Sequence, residues 1–467
     1  MPVPVLTLAQ MREWEAISWR AGRSISTVIS LAGTALARQA LRMTQPGDSI
    51  LVLAGKGNNG ADAKRAIEHL ADRRVRLLEI SDPAPAREEL AVQLASPTAL
   101  VMDGLFGIGL NRPLDAYWVE LLEQVNLAGH PVLAVDVPSG LCADTGRPLP
   151  VAIRAHVTLT LGAPKAGCLT PSASPFVGRL ELAADIGLVP CPASGELLWT
   201  LPGDFAGLPP ARPVDSHKGS WGHVTILAGS TGYHGAAVLA ARGALAARPG
   251  LVSVITPPAV YVPVASQLQA AMVHPCSAGA LQRVQQSCAF VIGPGLAGVD
   301  VTTELKEAAA QIWRQAAGPV LADASALDWL PLREFPTRAI RVITPHPGEA
   351  ARLLDCDTSR VQADRCNALR QLTSSAGGSW VVLKGRHTLI GATGGPIWVN
   401  PSGNPMLSQG GSGDVLAGFL GGLLAQPWGR QDAGQTLRFG VWHHGDAADR
   451  LSQRRAGWGM EELLGAL

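Results

Sequence analysis

The apolar and polar positions of this chain alternate between short β-type runs and longer helical stretches. Helical periodicity predicts helices near 7–20, 25–42, 61–71, 86–94 and 115–125. Between them, short apolar runs bounded by turn residues predict buried strands at 49–54, 75–80, 100–103, 132–136, 157–161 and 179–182. Strands that alternate with helices favour a doubly wound parallel sheet, so we expect a Rossmann-like three-layer sandwich in this part of the chain.

A segment rich in proline and small residues follows, between Val189 and Pro213, and this composition is typical of a domain boundary. The alternation then resumes, with strands predicted at 223–227, 251–255, 289–292, 320–323, 341–343 and 380–383 and helices near 235–247, 301–316 and 358–375. A chain of 467 residues exceeds the usual size of a single hydrophobic core. We therefore predict two α/β domains, 1–205 and 206–467.

Composition narrows the classes of partner. The net charge is +1 with 16% charged residues, and no basic run is interleaved with aromatics, which argues against a nucleic-acid partner. The longest apolar runs are shorter than the roughly 18 residues of a membrane span, so we expect no membrane partner. The seven cysteines never occur in C-x-x-C spacing, and no secretory signal opens the chain, so we expect reduced thiols and a cytoplasmic protein.

The most informative motif is the glycine-rich run Gly410-Gly411-Ser412-Gly413-Asp414, which leads into an apolar helical stretch. Glycines allow backbone N–H groups to converge, and a helix N-terminus favours negative charge, so this segment suits a phosphoryl group. Asp414 could accept the proton of a hydroxyl that attacks phosphorus. The alternative is a flexible turn that only caps a helix.

Three strand ends in the first half carry polar residues. Asn59 lies in the glycine-bearing turn after the first strand, Asp103 ends another strand, and Ser139 follows Asp136 at a third. Ligands bind outside the carboxyl ends of strands in parallel sheets, so we expect these turns to converge on one crevice. Oxygen ligands from Asn59, Asp103 and Ser139 would suit a hard cation. The alternative is that these side chains only cap turns and helices.

Three more segments of the second half are candidates for ligand contacts. His346 stands between two prolines after a strand, where the rigid turn suits ligand positioning, although a lone histidine is more often structural. The hairpin segment Lys384 to Thr388 could meet nucleotide phosphates, or it could be an ordinary hairpin with solvated charges. Gly295, in a turn after another strand, would admit a ligand close to the backbone.

These motifs, in this order, resemble the family of bifunctional NAD(P)H-hydrate repair enzymes. In that family an NAD(P)HX epimerase domain is fused to an ADP/ATP-dependent NAD(P)HX dehydratase domain of the ribokinase-like superfamily. The resemblance covers nearly the whole chain. It rests on Gly57-Asn58-Asn59-Gly60-x-Asp62, Val135-Asp136-x-Pro138-Ser139-Gly140, Ser216-His217-Lys218-Gly219, Thr344-Pro345-His346-Pro347-Gly348-Glu349 and Gly410-Gly411-Ser412-Gly413-Asp414.

The resemblance implies a role for particular residues. In the first domain it implies substrate binding by Asn58, Asn59, Gly60, Asp62, Gly107, Ile108, Gly109, Leu110, Asn111 and Arg112, a catalytic acid at Asp136, and K⁺ ligands at Asn59, Asp103 and Ser139. In the second it implies substrate binding by Ala236, Gly295 and His346, nucleotide binding by Lys384, Gly385, Arg386, His387, Thr388, Gly410, Gly411, Ser412 and Gly413, and a catalytic base at Asp414.

The implied reaction is epimerisation of the hydrates NADHX and NADPHX, followed by dehydration of the S epimer. The implied cofactors are ADP or ATP, Mg²⁺ and K⁺, and the implied assembly is a homo-oligomer. Phosphorylation of the C6 hydroxyl would convert a poor leaving group into a good one, and its loss would restore the ring double bond.

Some positions depart from the family pattern. Ala61 and Ala63 flank Asp62 where the family usually has glycine, Ser325 replaces an acid, and the loop 404–409 lacks the usual small residues. These departures keep two alternatives open, an active dehydratase with a weak or inactive epimerase domain and a nucleotide sensor without catalysis. A third alternative is a ribokinase-like small-molecule kinase, since Gly410 to Asp414 alone fits phosphoryl transfer to a stable alcohol.

Overall fold

The computed structural model of the protein describes residues 2–284, 286–336 and 338–467. These residues form two compact units, Val3–Gly195 and Glu196–Leu467. Each unit is an α/β structure with its own sheet, as the alternation of strand and helix patterns predicted. None of the helices in the described part of the chain combines the length and apolar character needed to cross a membrane.

The elements of the first unit follow the predicted order. They are β1 (Val3–Pro4), α1 (Leu8–Arg20), α2 (Ile25–Met43), β2 (Ser49–Ala54), α3 (Asn58–Ile67), β3 (Arg74–Glu79), α4 (Pro83–Ala95), β4 (Leu100–Gly104), α5 (Ala116–Ala128), β5 (Val132–Val135), β6 (Val157–Leu161), α6 (Ser174–Val177) and β7 (Arg179–Ala183). Helix α1 begins as its sequence predicts, because Thr7 and Gln10 form a capping box.

The sheet of the first unit has the strand order β3-β2-β4-β5-β6-β7, and all of its strand pairs are parallel. Helices α2 and α3 pack on one face through residues such as Leu36 and Ala66. Helices α4 and α5 pack on the other face through residues such as Leu90 and Leu121. The predicted three-layer sandwich is confirmed, and the strand order reverses between β2 and β4, where such folds bind ligands.

The second unit continues the alternation. Its elements are β8 (Leu197–Trp199), β9 (His223–Leu227), α7 (His234–Ala246), β10 (Leu251–Thr256), α8 (Tyr261–Ala265), β11 (Met272–Pro275), α9 (Ala278–Val284), β12 (Ala289–Ile292), α10 (Thr303–Gln315), β13 (Val320–Ala322), β14 (Arg341–Ile343), α11 (Pro347–Leu353), α12 (Thr358–Ala363), α13 (Arg365–Ser375), β15 (Trp380–Leu383), β16 (Leu389–Gly391), β17 (Ile397–Val399), α14 (Ser412–Ala425), α15 (Pro427–Gln431), α16 (Ala433–Arg454) and α17 (Met460–Ala466).

Within this unit the strands lie in the order β8-β17-β16-β15-β14-β13-β12-β9-β10-β11. The pairs from β11 to β15 are parallel, whereas β16 is antiparallel to both of its neighbours. Helices α7, α14 and α16 share one core with the sheet, which includes Ala240, Leu420 and Leu437. The carboxyl ends of β9, β12, β13, β14 and β15 therefore share one edge of the sheet.

Two boundaries differ from the prediction. The units divide between 195 and 196 rather than between 205 and 206, because β8 (Leu197–Trp199) pairs in parallel with β17 of the second sheet. A three-residue strand inside a proline-rich segment gives little periodic signal. The single helix predicted over 358–375 is two helices, because the backbone breaks at Asp364, whose side chain accepts from the N–H of Asn367 at 2.9 Å and caps α13.

Candidate active sites

The first candidate site lies at the carboxyl ends of β2, β4 and β5. Asp103 has no exposed surface, and Ser139 donates to it through its backbone N–H at 2.8 Å and through Oγ at 2.6 Å. The side-chain amide of Asn59 donates to the carbonyl groups of Phe106 at 3.1 Å and Val135 at 2.7 Å. The structure therefore brings together Asn59, Asp103 and Ser139, as their places at strand ends predicted.

Burial controls the pKa of Asp103, and none of the causes of its shift is a cationic side chain. Burial raises the pKa of Asp103 to about 6, although hydrogen bonds from Ser139 and Leu105 act in the opposite direction. No ion pair of Asp103 occurs among the described residues, so a small cation beside it would relieve this cost. The donor set of amide, carboxylate and hydroxyl oxygens fits a hard cation such as K⁺.

The loop that follows β4 lies against Asn59. A Cβ atom on Gly107 would lie 2.2 Å from Asn59 Oδ1, so a larger residue here would push the Asn59 amide from its place. The loop turns at once, because Leu110 N–H donates to the carbonyl of Gly107 at 3.2 Å. Asn58, Gly109, Asn111 and Arg112 are exposed, Ile108 is half-buried and Gly60 is buried in the first turn of α3. These positions place an open loop beside the buried site.

Asp136 and Asp62 form a second part of this site. Asp136 accepts from Lys165 Nζ in a buried ion pair, from the N–H of Leu161 at 2.9 Å and from Thr160 Oγ1 at 3.2 Å. Burial first, and then the negative charges of Asp136 and Glu15, raise the pKa of Asp62 to about 8. Asp62 therefore stays protonated at neutral pH.

Two of these residues were missed by the sequence analysis. Lys165 lies in an Ala-Pro-Lys segment just after β6, and that position after a predicted strand was the available signal. Glu15 lies in α1, far from the motifs, and only the tertiary structure brings it to Asp136. Of the departures from the family pattern, Ala63 points into the hydrophobic core with Leu36 and Ala66.

The second candidate site is a cluster of carboxylates around Lys384. Lys384 Nζ lies 2.7 Å from Asp323 Oδ1 and 3.8 Å from Glu349 Oε2, and Thr344 Oγ1 donates to Asp323 Oδ1 at 2.7 Å. The ammonium group also reaches the glycine-rich turn, 3.5 Å from where a Cβ of Gly413 would stand. The alternative interpretation of Lys384 as an ordinary hairpin residue with a solvated charge does not hold, because its side chain is only 18% exposed and pairs with Asp323.

Asp414 belongs to the same cluster. It lies in the first turn of α14, which begins at Ser412 after Gly411, whose φ of 95° favours glycine. Burial first, then Asp323, and also Glu349 raise the pKa of Asp414, while Lys384 opposes them, and the result is about 7. A carboxyl group with this pKa can accept a proton near neutral pH.

The remaining predicted residues of the second half lie at different places around this cluster. His346 is exposed at the N-cap of α11, where its Nδ1 accepts from Gly348 N–H at 3.0 Å, and Glu349 accepts from His346 N–H at 2.7 Å. The backbone N–H of Asp323 donates to Ile292, which precedes the turn that contains Gly295. A Cβ on Gly295 would meet Ala236 Cβ at 2.8 Å, so these two positions are adjacent.

The other hairpin residues do not share the environment of Lys384. The ring of His387 packs on Trp199, with centroids 5.7 Å apart, and Thr388 Oγ1 donates to the carbonyl of Gly385 at 2.9 Å. Arg386 is exposed, as is Gly410, whereas Ser412 is buried. Asp323 and Glu349 were not predicted as site residues, although Asp323 is the last residue of the strand predicted at 320–323 and Glu349 lies in the quoted Thr344 to Glu349 motif.

Comparison with known proteins decides the family. Residues 224–464 match the protein family described as NAD(P)H-hydrate dehydratase, and residues 78–167 match the family described as YjeF-related protein N-terminus. A bifunctional NAD(P)H-hydrate repair enzyme of Gloeobacter violaceus is 37% identical over 97% of this chain and 94% of its own length. The chain belongs to the family of bifunctional NAD(P)H-hydrate repair enzymes. The resemblance found in the motifs is therefore confirmed.

Other relatives agree with this membership. A repair enzyme of the same description from Escherichia coli is 35% identical over 88% of this chain and 82% of its own length. The crystal structure of a ribokinase-like superfamily protein from Enterococcus faecalis is 25% identical, covers 59% of this chain and 95% of its own, and superposes with a TM-score of 0.51. The second unit thus has the predicted ribokinase-like fold and is the dehydratase domain of the repair-enzyme family.

Proposed function

We propose that this enzyme repairs hydrated NADH and NADPH. The first unit interconverts the R and S epimers of NADHX and NADPHX, and the second unit dehydrates the S epimer with ADP or ATP. The observation that carries the proposal is Asp414, a carboxyl group with a pKa of about 7 at the N-terminus of a helix, beside Lys384, in a unit that matches the dehydratase family.

The chemistry of dehydration follows from this arrangement. Asp414 accepts the proton of the C6 hydroxyl, whose oxygen attacks the terminal phosphorus of the nucleotide, so that ADP would give AMP. The N–H groups around Gly411 to Gly413 face the charge that develops on the phosphoryl oxygens. Loss of phosphate from C6 and of a proton from C5 then restores the ring double bond. We assign contacts with the hydrate to Ala236, Gly295 and His346.

Lys384 is the hairpin residue best placed to meet the transferred phosphoryl group, because its ammonium group lies beside Gly413. Gly385 to Thr388 and Gly410 to Ser412 would hold the rest of the nucleotide. Mg²⁺ would enter with the nucleotide and neutralise its phosphates, since Mg²⁺ is usually held by phosphate oxygens, water and one or two carboxylates.

In the first unit we assign K⁺ to Asn59, Asp103 and Ser139. The buried charge of Asp103 supports this assignment, since a bound cation would compensate it. The ion would supply positive charge beside Asn59 and so order the loop Gly107 to Arg112. We further propose that the protein works in the cytoplasm and that it is a homo-oligomer. Light scattering of the purified chain would test the oligomeric state.

The test of the main proposal is turnover of stereochemically resolved substrates. Purified enzyme incubated with S-NADHX, ADP and Mg²⁺ should restore the near-ultraviolet absorbance of NADH and release AMP and phosphate. R-NADHX should be repaired as well, after a lag set by epimerisation. A phosphorylated product that accumulates without elimination would favour a ribokinase-like kinase, and no recovery from either epimer would refute the proposal.

A further inference from the structure

Lys165 is a buried cation of the first unit, and it contacts Asp136, the proposed catalytic residue. Its side chain is 0% exposed, and its ammonium group donates to Asp136 Oδ1, to the carbonyl of Leu161 at 2.8 Å and to Thr160 Oγ1 at 3.2 Å. These partners use all three of its N–H donors. Burying a lysine is costly unless it is paired and hydrogen-bonded, so this position is built around the contact with Asp136.

The backbone of Asp136 supports the same view. Its φ of 65° lies in the left-handed region, which is strained for a residue other than glycine and persists only where the surroundings impose it. Here its N–H donates to Leu159 at 2.9 Å, while Leu161 N–H, Thr160 and Lys165 all converge on Oδ1. Oδ2 accepts none of these bonds, so they hold one oxygen of Asp136 and leave the other out of this set.

Two further carboxyl groups, on other elements, have pKa values that the charge of Asp136 raises. Asp62 lies in α3 and is 5% exposed, and neither a hydrogen bond nor a cation offsets its burial among the described residues. Glu15 lies in α1; burial first and then Asp136 raise its pKa, while Lys165 and Arg12 act against them. The cluster thus holds three carboxyl groups and Lys165, and Asp62, with its pKa raised to about 8, carries a proton at neutral pH.

We propose, on the basis of the epimerase function above, that Lys165 is a positioning residue that presents Asp136 as a proton acceptor opposite Asp62, the proton donor. The Asp136 carboxylate takes the proton of the C6 hydroxyl, the C6–N1 bond breaks, and its electron pair goes to N1, which takes the proton of Asp62. The hydroxyl oxygen becomes an aldehyde. Rotation about C5–C6 then exposes the other face, N1 closes the ring again, and both protons return.

The route conserves every atom and requires no oxidant, reductant or third reactant. It also explains why the site contains one protonated and one ion-paired carboxyl group, because the ring opens only if one group accepts a proton while another donates one. Nicotinamide hydrates in which N1 and the C6 hydroxyl are neighbours are the substrate class that such a pair fits.

The experiment compares Lys165→Met with Lys165→Arg in the full-length enzyme, and measures KM and the pH dependence of kcat for interconversion of the two epimers. Lys165→Met should lower kcat on the order of 10²-fold, the effect typical of a disabled acid–base group, and should leave KM unchanged because the fully buried Lys165 holds Asp136 rather than the substrate. Lys165→Arg should recover part of kcat. The matched control is Lys64→Met, which removes a half-exposed ion pair with Glu79 and should change neither kcat nor KM.

Lys165→Met could unfold the first unit, so Asp62→Asn provides a second test. This variant keeps the size of the side chain and cannot donate the acidic proton, so kcat should fall on the order of 10²-fold and the wild-type alkaline limb near pH 8 should disappear. Wild-type kcat in Asp62→Asn, or a Lys165→Arg variant no more active than Lys165→Met, would overturn the inference. Obligatory uptake of one labelled oxygen from water per interconversion would also overturn it, since the route retains the C6 oxygen.

Failure of the inference can be told apart from failure of the proposed function. If the wild-type enzyme does not interconvert the epimers, the epimerase proposal itself is wrong. If the wild type interconverts them and the variants at 62 and 165 behave like Lys64→Met, the function stands and the roles given to these residues are wrong. Dehydration of the S epimer by each variant provides the check that the rest of the chain is intact.

Discussion

Replacement of Asp62 by asparagine should make the stability of the first unit less dependent on pH. Asp62 is buried beside Asp136 and Glu15, and its pKa is raised to about 8 in the folded protein. An aspartate in the unfolded chain has a pKa of about 3.9. The folded state therefore binds a proton that the unfolded state has already released, and the stability that this proton contributes is lost as the pH rises towards 8.

The size of the effect follows from the linkage relation. Between the two pKa values the proton difference is about one, so the free energy of unfolding falls by about 1.4 kcal/mol per pH unit. From about pH 5 to about pH 7 the wild type should lose roughly 2.7 kcal/mol through this group, and the asparagine variant should lose none of it. Asp103 and Glu15 also have raised pKa values, but they remain in both proteins and cancel in the comparison.

Hydrogen exchange of the intact enzyme, followed by mass spectrometry, measures this difference without any substrate. Peptides that contain β5 (Val132–Val135), a fully buried strand of the first unit, report its opening free energy after correction for the intrinsic exchange rate. Peptides that contain β12 (Ala289–Ile292) report the second unit and should respond equally in both proteins. An identical pH dependence of the β5 peptides in wild type and variant would refute the reasoning.

Three further predictions concern activity and packing. Asp414→Asn should lower the rate of dehydration by about 10²–10⁴-fold and leave the rate of epimerisation unchanged. The wild-type rate of dehydration should rise with pH through about 7, where Asp414 loses its proton. Initial rates measured across this pH range check both expectations. Lys384→Met should raise the pKa of Asp414, because Lys384 lowers it, so the acid limb of the dehydration profile should move to higher pH and return in Lys384→Arg. Gly107→Ala would place a Cβ 2.2 Å from Asn59 Oδ1, so it should lower the free energy of unfolding of the first unit by about 1–3 kcal/mol in denaturant titrations. It should also weaken any stabilisation of that unit by K⁺. Equal unfolding midpoints with and without the substitution would contradict the packing argument.

Most of the fold could be predicted because its signals are local. The strands at 157–161, 223–227, 289–292, 341–343 and 380–383 match the sequence prediction at both ends. Each is a short apolar run bounded by polar or turn residues, and buried parallel strands have that composition in any such fold. The prediction was wrong at β8 and around Asp364, where a three-residue strand and a helix cap carry too few residues for periodicity to detect.

The candidate sites were predictable only in part. Asn59, Asp103, Ser139 and Asp414 follow strands or begin helices next to glycine, and the parallel topology brings such positions to one edge of each sheet. The partners that set their charge carry a weaker signal. Lys165 and Asp323 lie near the ends of predicted strands but in no glycine-rich motif, and Glu15 has no such position. Lys384 was predicted as a phosphate contact with no indication that it pairs with Asp323 at 2.7 Å.

The amino-acid sequence by itself determined the elements, their parallel order and the ends of the strands at which ligands bind, since these depend on periodicity and on turn chemistry within a few residues. The tertiary structure alone decided which carboxyl groups hold protons near neutral pH. A pKa depends on burial and on charges within a few ångströms, and those charges come from residues such as Glu15, Asp62, Asp136 and Lys165, up to 150 positions apart in the chain.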